Sequence, residues 1–248
     1  MDGLRVYKPL KRLRVILLSV FVLSVWSSGS VRAQDAGVCP KTLAAISENY
    51  LSLTSKKILS AIYESLGCPV EVLDYPGRRG VFSFNSLQVD GEILRFEVVE
   101  SLYTRRFVRS SRPLFFENGH LWLHPDVSLR ETLPIGYLFG IVWHENYMKG
   151  RRGKVYNSSD DLLNAYQNGE IGSFLYTDFA MNIRVTAGKI QPVPEKGGRI
   201  IHAPFYHYLG AEFTPFMIRL SRYLDEHEPF SFMEIPESGS KQVITLTQ

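Results

Sequence analysis

Helical and strand patterns alternate along most of the chain, and this alternation restricts the possible folds more than any other feature of the sequence. From Lys56 to Leu66 the apolar residues recur at helical spacing, and Gly67 ends the pattern. A strand pattern over residues 70–73 follows, and the turn Tyr75-Pro76-Gly77 closes it. Because alternating helices and strands place helices on the faces of a sheet, the pattern predicts an α/β fold with a mostly parallel sheet.

The same alternation continues through the second half of the chain. Ser158 and the two aspartates after Ser159 favour a helix start, because a hydroxyl caps the first turn and acids complement its dipole. We expect this helix to stop at Gly169. Further helices are predicted over residues 78–87, 143–149 and 213–224, and further strands over residues 92–96, 120–123, 133–137, 154–156 and 171–176.

The first 33 residues have the pattern of an export signal. Five basic residues between Arg5 and Arg14 precede a short apolar run, Val15 to Trp26, and small residues follow up to Ala33. This order is typical of a secretory signal peptide cleaved after Ala33. The apolar run is shorter than the roughly 20 residues that a membrane-spanning helix needs, although an uncleaved membrane anchor remains the alternative. We therefore expect a periplasmic protein.

Removal of the signal changes the charge of the protein. Residues 1–33 contain six of the 28 basic residues and one of the 25 acidic residues, so 22 basic and 24 acidic residues remain and the net charge falls from +3 to −2. Binding to a phosphate backbone needs clustered Lys and Arg, which the remaining chain lacks. The sequence therefore predicts no nucleic-acid partner.

Cys39 and Cys68 are the only two cysteines. An exported chain meets an oxidising compartment, in which disulfides form and persist. We therefore hypothesise a disulfide that ties the start of the exported chain to the end of the first predicted helix. Two free thiols are the alternative, because the sequence does not report the distance between the two Cα atoms.

Eight segments, taken in order, form a pattern that covers about residues 42–228. The segments are Leu66-Gly67, residues 70–72, residues 75–79, residues 89–92 with Arg95, residues 133–137 with Gly140, residues 158–169, residues 171–178 and residues 205–209. Their order and spacing resemble those of the bacterial extracellular solute-binding proteins of family 3, the periplasmic receptors of amino-acid ABC transporters.

The resemblance implies a type II periplasmic binding protein-like fold, with two α/β lobes and a ligand cleft between them. It divides the chain into a signal peptide (1–33), a first lobe (34–113), a second lobe (114–195), a return to the first lobe with the C-terminal helix (196–228) and a tail (229–248). It also implies a monomeric, non-enzymatic receptor that closes on a small polar solute, an amino acid or a small carboxylate, for an ABC importer or a sensor.

Arg95 is the leading candidate for ligand contact, because a guanidinium can clamp a carboxylate with two hydrogen bonds. A salt bridge from Arg95 to Glu92 or Glu97 is the alternative. The other predicted ligand-binding residues are Tyr75, Glu92, Tyr137, Gly140 and Asp178, and the candidate aromatic walls are Tyr75, Phe115, Tyr137, Trp143 and Tyr176.

The sequence departs from the family pattern in three places. The hydroxyl residue and arginine that usually hold an α-carboxylate have no clean match over residues 100–106. The acid that meets an α-ammonium falls at Thr177 or Asp178, depending on one residue of alignment. The early strand is expected to be missing or shortened between Thr42 and Thr54.

The sequence predicts no cofactor and no metal. His120 and His124 lie four residues apart, but in a strand this spacing separates them by roughly 13 Å, too far to share an ion. An enzyme on the same scaffold is the alternative function, since a few relatives are dehydratases. Glu92 and Asp178 are its candidate acid–base groups.

Overall fold

The structure, a computed structural model, describes residues 38–47 and 50–233. The described residues belong to one compact unit. The predicted signal peptide and most of the predicted tail lie outside the described residues. No helix in the described part is long and apolar enough to cross a membrane.

The described residues form one sheet of nine strands with helices packed against it. The strands are β1 (Thr42–Ile46), β2 (Glu71–Tyr75), β3 (Gly91–Phe96), β4 (Phe107–Arg109), β5 (Phe115–Leu123), β6 (Ile135–Leu138), β7 (Gly153–Tyr156), β8 (Ser173–Thr177) and β9 (Glu195–Gly210). The helices are α1 (Tyr50–Ser65), α2 (Arg79–Asn85), α3 (Val127–Thr132), α4 (Val142–Met148), α5 (Ser159–Gln167), α6 (Asp178–Thr186) and α7 (Thr214–His227), with short 3-10 turns at Glu97–Leu102, Ala211–Phe213 and Ser231–Met233.

The helix and strand predictions fall on observed elements, with shifted ends. The helix predicted from Lys56 begins at Tyr50. The Ser158 cap is confirmed, because its hydroxyl accepts a hydrogen bond of 3.0 Å from the Asp161 amide. The early strand expected to be missing or shortened is present as β1, which lies between β2 and β3.

The sheet is mixed, so the expectation of a mostly parallel sheet is wrong. Its strand order is β2-β1-β3-β9-β5-β8-β6-β7, and β4 also pairs with β9. The parallel pairs are β1–β2, β1–β3, β6–β7 and β6–β8, whereas every pair that involves β5 or β9 is antiparallel. The reason is that β5 and β9, which lie between the two sets of parallel strands, both run antiparallel to their neighbours.

Strands β5 and β9 join the two ends of the sheet. We call β1 to β4 the first half of the sheet and β6 to β8 the second half. Strand β9 pairs with β5 from Glu195 to Phe205 and then with β3 and β4 up to Gly210. One long strand therefore belongs to both halves. The lobe limits at residues 113 and 195 remain predictions.

Apolar packing holds helices on both halves. In the first half, α1 and α7 bury Tyr63, Phe216 and Leu220 completely. In the second half, Tyr166 and Phe174 are equally buried. Each such side chain contributes about 1.5–3 kcal/mol when it leaves water, so these contacts stabilise both halves.

A buried tyrosine–histidine pair lies in the apolar core of the first half. The Tyr63 hydroxyl and His207 Nε2 are 2.7 Å apart, and His207 Nδ1 lies 3.3 Å from the Ile93 carbonyl oxygen. Burial disfavours the charged imidazolium and lowers the pKa of His207 to about 4. His207 is therefore neutral at pH 7.

Candidate functional site

A cleft of about 700 Å³, including space open to solvent, is lined by residues from both halves of the sheet. Its walls are mainly apolar. The first half contributes Val81, Phe96 and Val99, and the second half contributes Leu138, Ile141 and Trp143. Ligand pockets in proteins are lined mainly by apolar side chains with a few polar groups, and this cleft has that character, so it is the candidate functional site.

Two glycine turns touch across the cleft. Gly77 follows β2 and Gly140 follows β6, with φ angles of +52° and +76°. A Cβ atom on Gly140 would lie 2.9 Å from both the Arg78 nitrogen and the Gly77 Cα. Only glycine permits both this backbone conformation and this approach, so the turns bring the two halves together at backbone distance.

Arg95 lies in the wall of the cleft and is held by Glu92. Its Nε and Nη2 donate to Glu92 Oε1 at 2.9 and 2.6 Å, and both side chains are buried. The other Glu92 oxygen accepts a hydrogen bond from the Tyr103 hydroxyl. Burial, followed by the negative charge of Glu92, raises the pKa of Tyr103 well above its usual value. The pair is therefore a fixed salt bridge with Tyr103 as a neutral donor.

Arg95 keeps donor capacity toward the cleft. Its Nη1 makes only a long contact of 3.4 Å with the Gly77 carbonyl oxygen. A guanidinium has five N–H groups, so the salt bridge to Glu92 does not exhaust them. Both alternatives considered for Arg95, the salt bridge to Glu92 and a place at the cleft, are therefore compatible with this geometry.

Arg78 lines the cleft and makes a long contact with Glu145. Arg78 Nη2 lies 3.4 Å from Glu145 Oε2, and Glu145 Oε1 accepts the Gly140 amide at 2.9 Å. The Arg78 side chain is 46% exposed. An exposed ion pair at this distance is weak, so Arg78 is free to take another anionic partner.

His144 and Thr177 add polar groups to the apolar walls. His144 Nδ1 accepts the Leu138 amide at 3.1 Å, so the proton of the neutral ring lies on Nε2. Burial lowers the pKa of His144 to about 3, which keeps the ring neutral. Thr177 ends β8 and caps α6 without a hydrogen bond from its side chain to the helix. Both residues line the cleft.

Asp178 belongs to a separate buried cluster on β5, β9 and the start of α6. Its Oδ2 accepts Lys196 Nζ at 2.7 Å and lies 3.5 Å from His120 Nε2. Nearby, Glu117 Oε1 accepts the Asn118 amide at 2.9 Å. Burial is the main cause that raises the pKa of Glu117 to about 8, so this carboxyl is protonated at neutral pH. In residues 38–47 and 50–233 no cluster of His, Cys, Asp and Glu is arranged to hold a metal.

The structure brings some of the predicted site residues to the cleft and places others elsewhere. Arg95 and Gly140 line it, as do Trp143 and Tyr176 of the predicted aromatic walls. Tyr75 packs on the small core of Ala44, Phe84 and Val89. Tyr137 packs against the main core, Glu92 lies behind Arg95, and Asp178 is tied to Lys196.

The sequence reasoning missed His144, Thr177 and the apolar wall at Phe96 and Val99. His144 lies inside a predicted helix, and nothing in the local pattern marks it as a cleft residue. Thr177 was considered only as an aligned position for an acid. Phe96 is the last residue of β3, and Val99 lies in the 3-10 turn that begins at Glu97, so the cleft wall falls where the strand changes to the turn.

Cys39 and Cys68 are joined in a disulfide, with Cα atoms 5.3 Å apart. The bond connects the segment before β1 to the end of α1. It lies outside the lining of the cleft. The disulfide therefore links the segment before β1 to the apolar core of the first half.

Comparison with known proteins gives a clear result for structure and none for sequence. No protein-family model matches the chain, and no curated protein matches it in sequence. The arginine-bound form of a truncated ArgBP from T. maritima has a similar structure, with a TM-score of 0.61 and 13% identity over 75% of this chain and 95% of that one. The GluR0 ligand-binding core from Nostoc punctiforme in complex with L-glutamate gives a TM-score of 0.60 and 12% identity over 77% and 95% of the two chains.

A third similar structure is an ancestral amino-acid-binding protein, AncCDT-1, a precursor of cyclohexadienyl dehydratase. Its TM-score is 0.61, with 8% identity over 77% of this chain and 93% of that one. The chain has the type II periplasmic-binding-protein fold. The predicted fold class, two α/β lobes with a cleft between them, is confirmed. At these identities the likeness establishes the fold, and the chemistry has to be argued from the cleft itself.

Proposed function

We propose that this protein is a solute-binding receptor whose two halves close over a small polar solute, an amino acid or a small carboxylate. The observation that supports it most directly is a cleft lined by both halves, with the turns at Gly77 and Gly140 in contact across it. Hinge closure around a ligand is a known behaviour of two-lobed binding proteins. Two of the similar structures hold arginine and glutamate, which supports a solute of this size.

The proposal includes export and delivery to a membrane partner. Residues 1–33 would act as a signal peptide, and the Cys39–Cys68 disulfide would form in the oxidising periplasm. The partner would be the permease of an ABC importer or a sensor, and the receptor would act as a monomer. Mass spectrometry of alkylated, non-reduced protein from the periplasm tests the export part. We expect Gln34 at the N-terminus and no alkylated cysteine, whereas an intact Met1 or two alkylated thiols would contradict it.

Solute binding is tested by thermal unfolding with a panel of amino acids and small carboxylates. A ligand at 100 times its Kd stabilises the folded state by about 2.7 kcal/mol, which is a readily measured rise in Tm. Small-angle scattering of the same samples reports closure as a smaller radius of gyration. No stabilisation by any member of the panel would contradict the proposal.

Two glycine variants separate closure from backbone strain. Gly140→Ala adds a Cβ that meets Gly77 and Arg78, so we expect affinity for the stabilising solute to fall at least tenfold. Gly150→Ala is the matched control, because Gly150 has a similar φ of +73° but no neighbouring atom within 4 Å of an added Cβ. If Gly140→Ala and Gly150→Ala lose affinity equally, solute binding does not depend on the contact between the turns at Gly77 and Gly140.

An enzyme on the same scaffold has less support. Its two candidate acid–base groups are occupied elsewhere, Glu92 by Arg95 and Asp178 by Lys196. The same solute panel gives the test, because mass spectrometry of the incubated solutes detects conversion. Formation of a product would favour the enzyme over the receptor.

A further inference from the structure

The charged groups in the walls of the cleft are of one sign. Arg78 and Arg95 line it, whereas no aspartate or glutamate in the described residues does. The remaining wall is apolar apart from His144 and Thr177. A solute ammonium group would therefore enter an apolar site without a carboxylate partner, and burying an unpaired charge is strongly unfavourable.

The acids near the cleft are already engaged. Both oxygens of Glu92 are taken, one by Arg95 and the other by the Tyr103 hydroxyl. Asp178 is 4% exposed and accepts Lys196 Nζ at 2.7 Å. Glu145 holds the Gly140 amide and faces Arg78. Cations of the protein therefore hold Glu92 and Asp178, and Glu145, whose contact with Arg78 is long, lies outside the lining of the cleft.

Donors for an anion are available in the same walls. Arg95 Nη1 has only the long contact with the Gly77 carbonyl, and Arg78 has only the 3.4 Å contact with Glu145. Each of these guanidinium groups can donate two hydrogen bonds to a carboxylate. In the part of the chain that the structure describes, His144 Nε2–H has no hydrogen-bond partner and offers one more donor to a solute oxygen.

We propose that the solute is a small monocarboxylate with an apolar body and no ammonium group. This inference rests on the proposed receptor function and narrows it from amino acids to carboxylates without nitrogen. The carboxylate meets Arg78 and Arg95, and the apolar body packs on Phe96, Val99 and Trp143.

Matched solutes test the inference by isothermal titration calorimetry. The probes are 3-phenylpropanoate against L-phenylalanine and 4-methylpentanoate against L-leucine, with 3-phenylpropanamide as the uncharged analogue. We expect at least one carboxylate to bind ten times more tightly than its amino acid, and 3-phenylpropanoate to bind more tightly than the amide. Equal or tighter binding of the amino acids, or of the amide, would overturn the inference.

The outcomes also separate this inference from the receptor function. If amino acids bind and close the cleft while neither carboxylate does, the inference fails and the receptor function stands. If no probe binds and the wider panel of amino acids and carboxylates gives no stabilisation, the receptor function fails and the inference fails with it.

A pair of charge-adding variants locates the carboxylate. Thr177→Asp places an acid in the cleft wall at the N-cap of α6, a position where aspartate favours the helix, so the variant is expected to fold. Its affinity for the bound carboxylate should fall at least tenfold. Ser158→Asp is the control, because it adds the same charge at the N-cap of α5, outside the cleft lining, and should change affinity less than twofold. Unchanged affinity in Thr177→Asp would overturn the inference.

Discussion

Two buried glutamates, Glu92 on β3 and Glu117 on β5, have the same side chain and opposite surroundings. Glu92 is completely buried, and the Arg95 guanidinium and the Tyr103 hydroxyl occupy its two oxygens. Glu117 is 3% exposed, has backbone amides on one oxygen, and has no hydrogen-bond partner on the other among the described residues.

The difference shows what keeps a charge inside this fold. A cation within hydrogen-bond distance holds Glu92 in a salt bridge, and that salt bridge fixes Arg95 in the cleft wall. Glu117 lacks such a cation, so burial raises its pKa to about 8 and the neutral acid persists. The first arrangement serves the cleft, whereas the second stores a proton that a rise in pH can remove.

Of the changes that test this comparison, removal of the Arg95 side chain should lower the unfolding free energy most. Arg95→Met leaves Glu92 buried without its cation, which typically costs about 3–5 kcal/mol of unfolding free energy. Urea unfolding measures the loss, and the double variant Arg95→Met with Glu92→Leu should recover a large part of it because no charge remains unpaired. If Arg95→Met alone loses no stability, the salt bridge between Arg95 and Glu92 does not stabilise this wall of the cleft.

The next largest effect should be the change in unfolding free energy with pH that the Glu117 carboxyl causes. The folded state binds the Glu117 proton up to about pH 8, whereas the unfolded state releases it near pH 4.5, so stability falls as pH rises between these values. Over that window Glu117→Gln should remove a loss of up to about 4 kcal/mol. Urea unfolding from pH 5 to 9 provides the measurement. Glu170→Gln, at an exposed carboxylate paired with Lys154, is the control and should keep the wild-type loss.

His207 should give a smaller effect of opposite sign. Its pKa is about 4 in the folded state against 6.5 for an ordinary histidine, so stability is present above pH 6.5 and is lost as pH falls toward 4. His207→Gln should reduce this loss by about 2–3 kcal/mol. His227→Gln, at an exposed histidine, is the control variant. If the unfolding free energies of the two variants depend on pH in the same way, His207 does not cause the loss of stability at acid pH.

The sequence predicted the elements whose patterns are local. The spacing of apolar residues located α1, α5 and α7, and the hydroxyl–acid pattern located the start of α5 at Ser158. Arg95 could be singled out, and a salt bridge to Glu92 could be considered, because the two residues lie three apart in the chain. Its burial could not be inferred, because burial depends on which strands lie beside β3.

The rest depends on contacts that no local pattern encodes. Strand direction is one case, because strand patterns look the same in parallel and antiparallel pairs. The start of β9 is another, since Glu195-Lys196-Gly197-Gly198 has no apolar alternation. His144 reaches the cleft only because the helix α4 packs over β6. The place of His144 in the cleft wall could therefore be recognised only once the fold was known.

The pairing of β3 with β9 also has a consequence for the order in which the chain can mature. Gly91 pairs with Leu209, so β3 is translated long before the strand that covers its edge exists. Until then the growing chain carries an open strand edge, which is a template for pairing with other chains. Such non-local closure is slow. The edge of β3 therefore stays available to other chains until residues 205–209 have been made and paired with it.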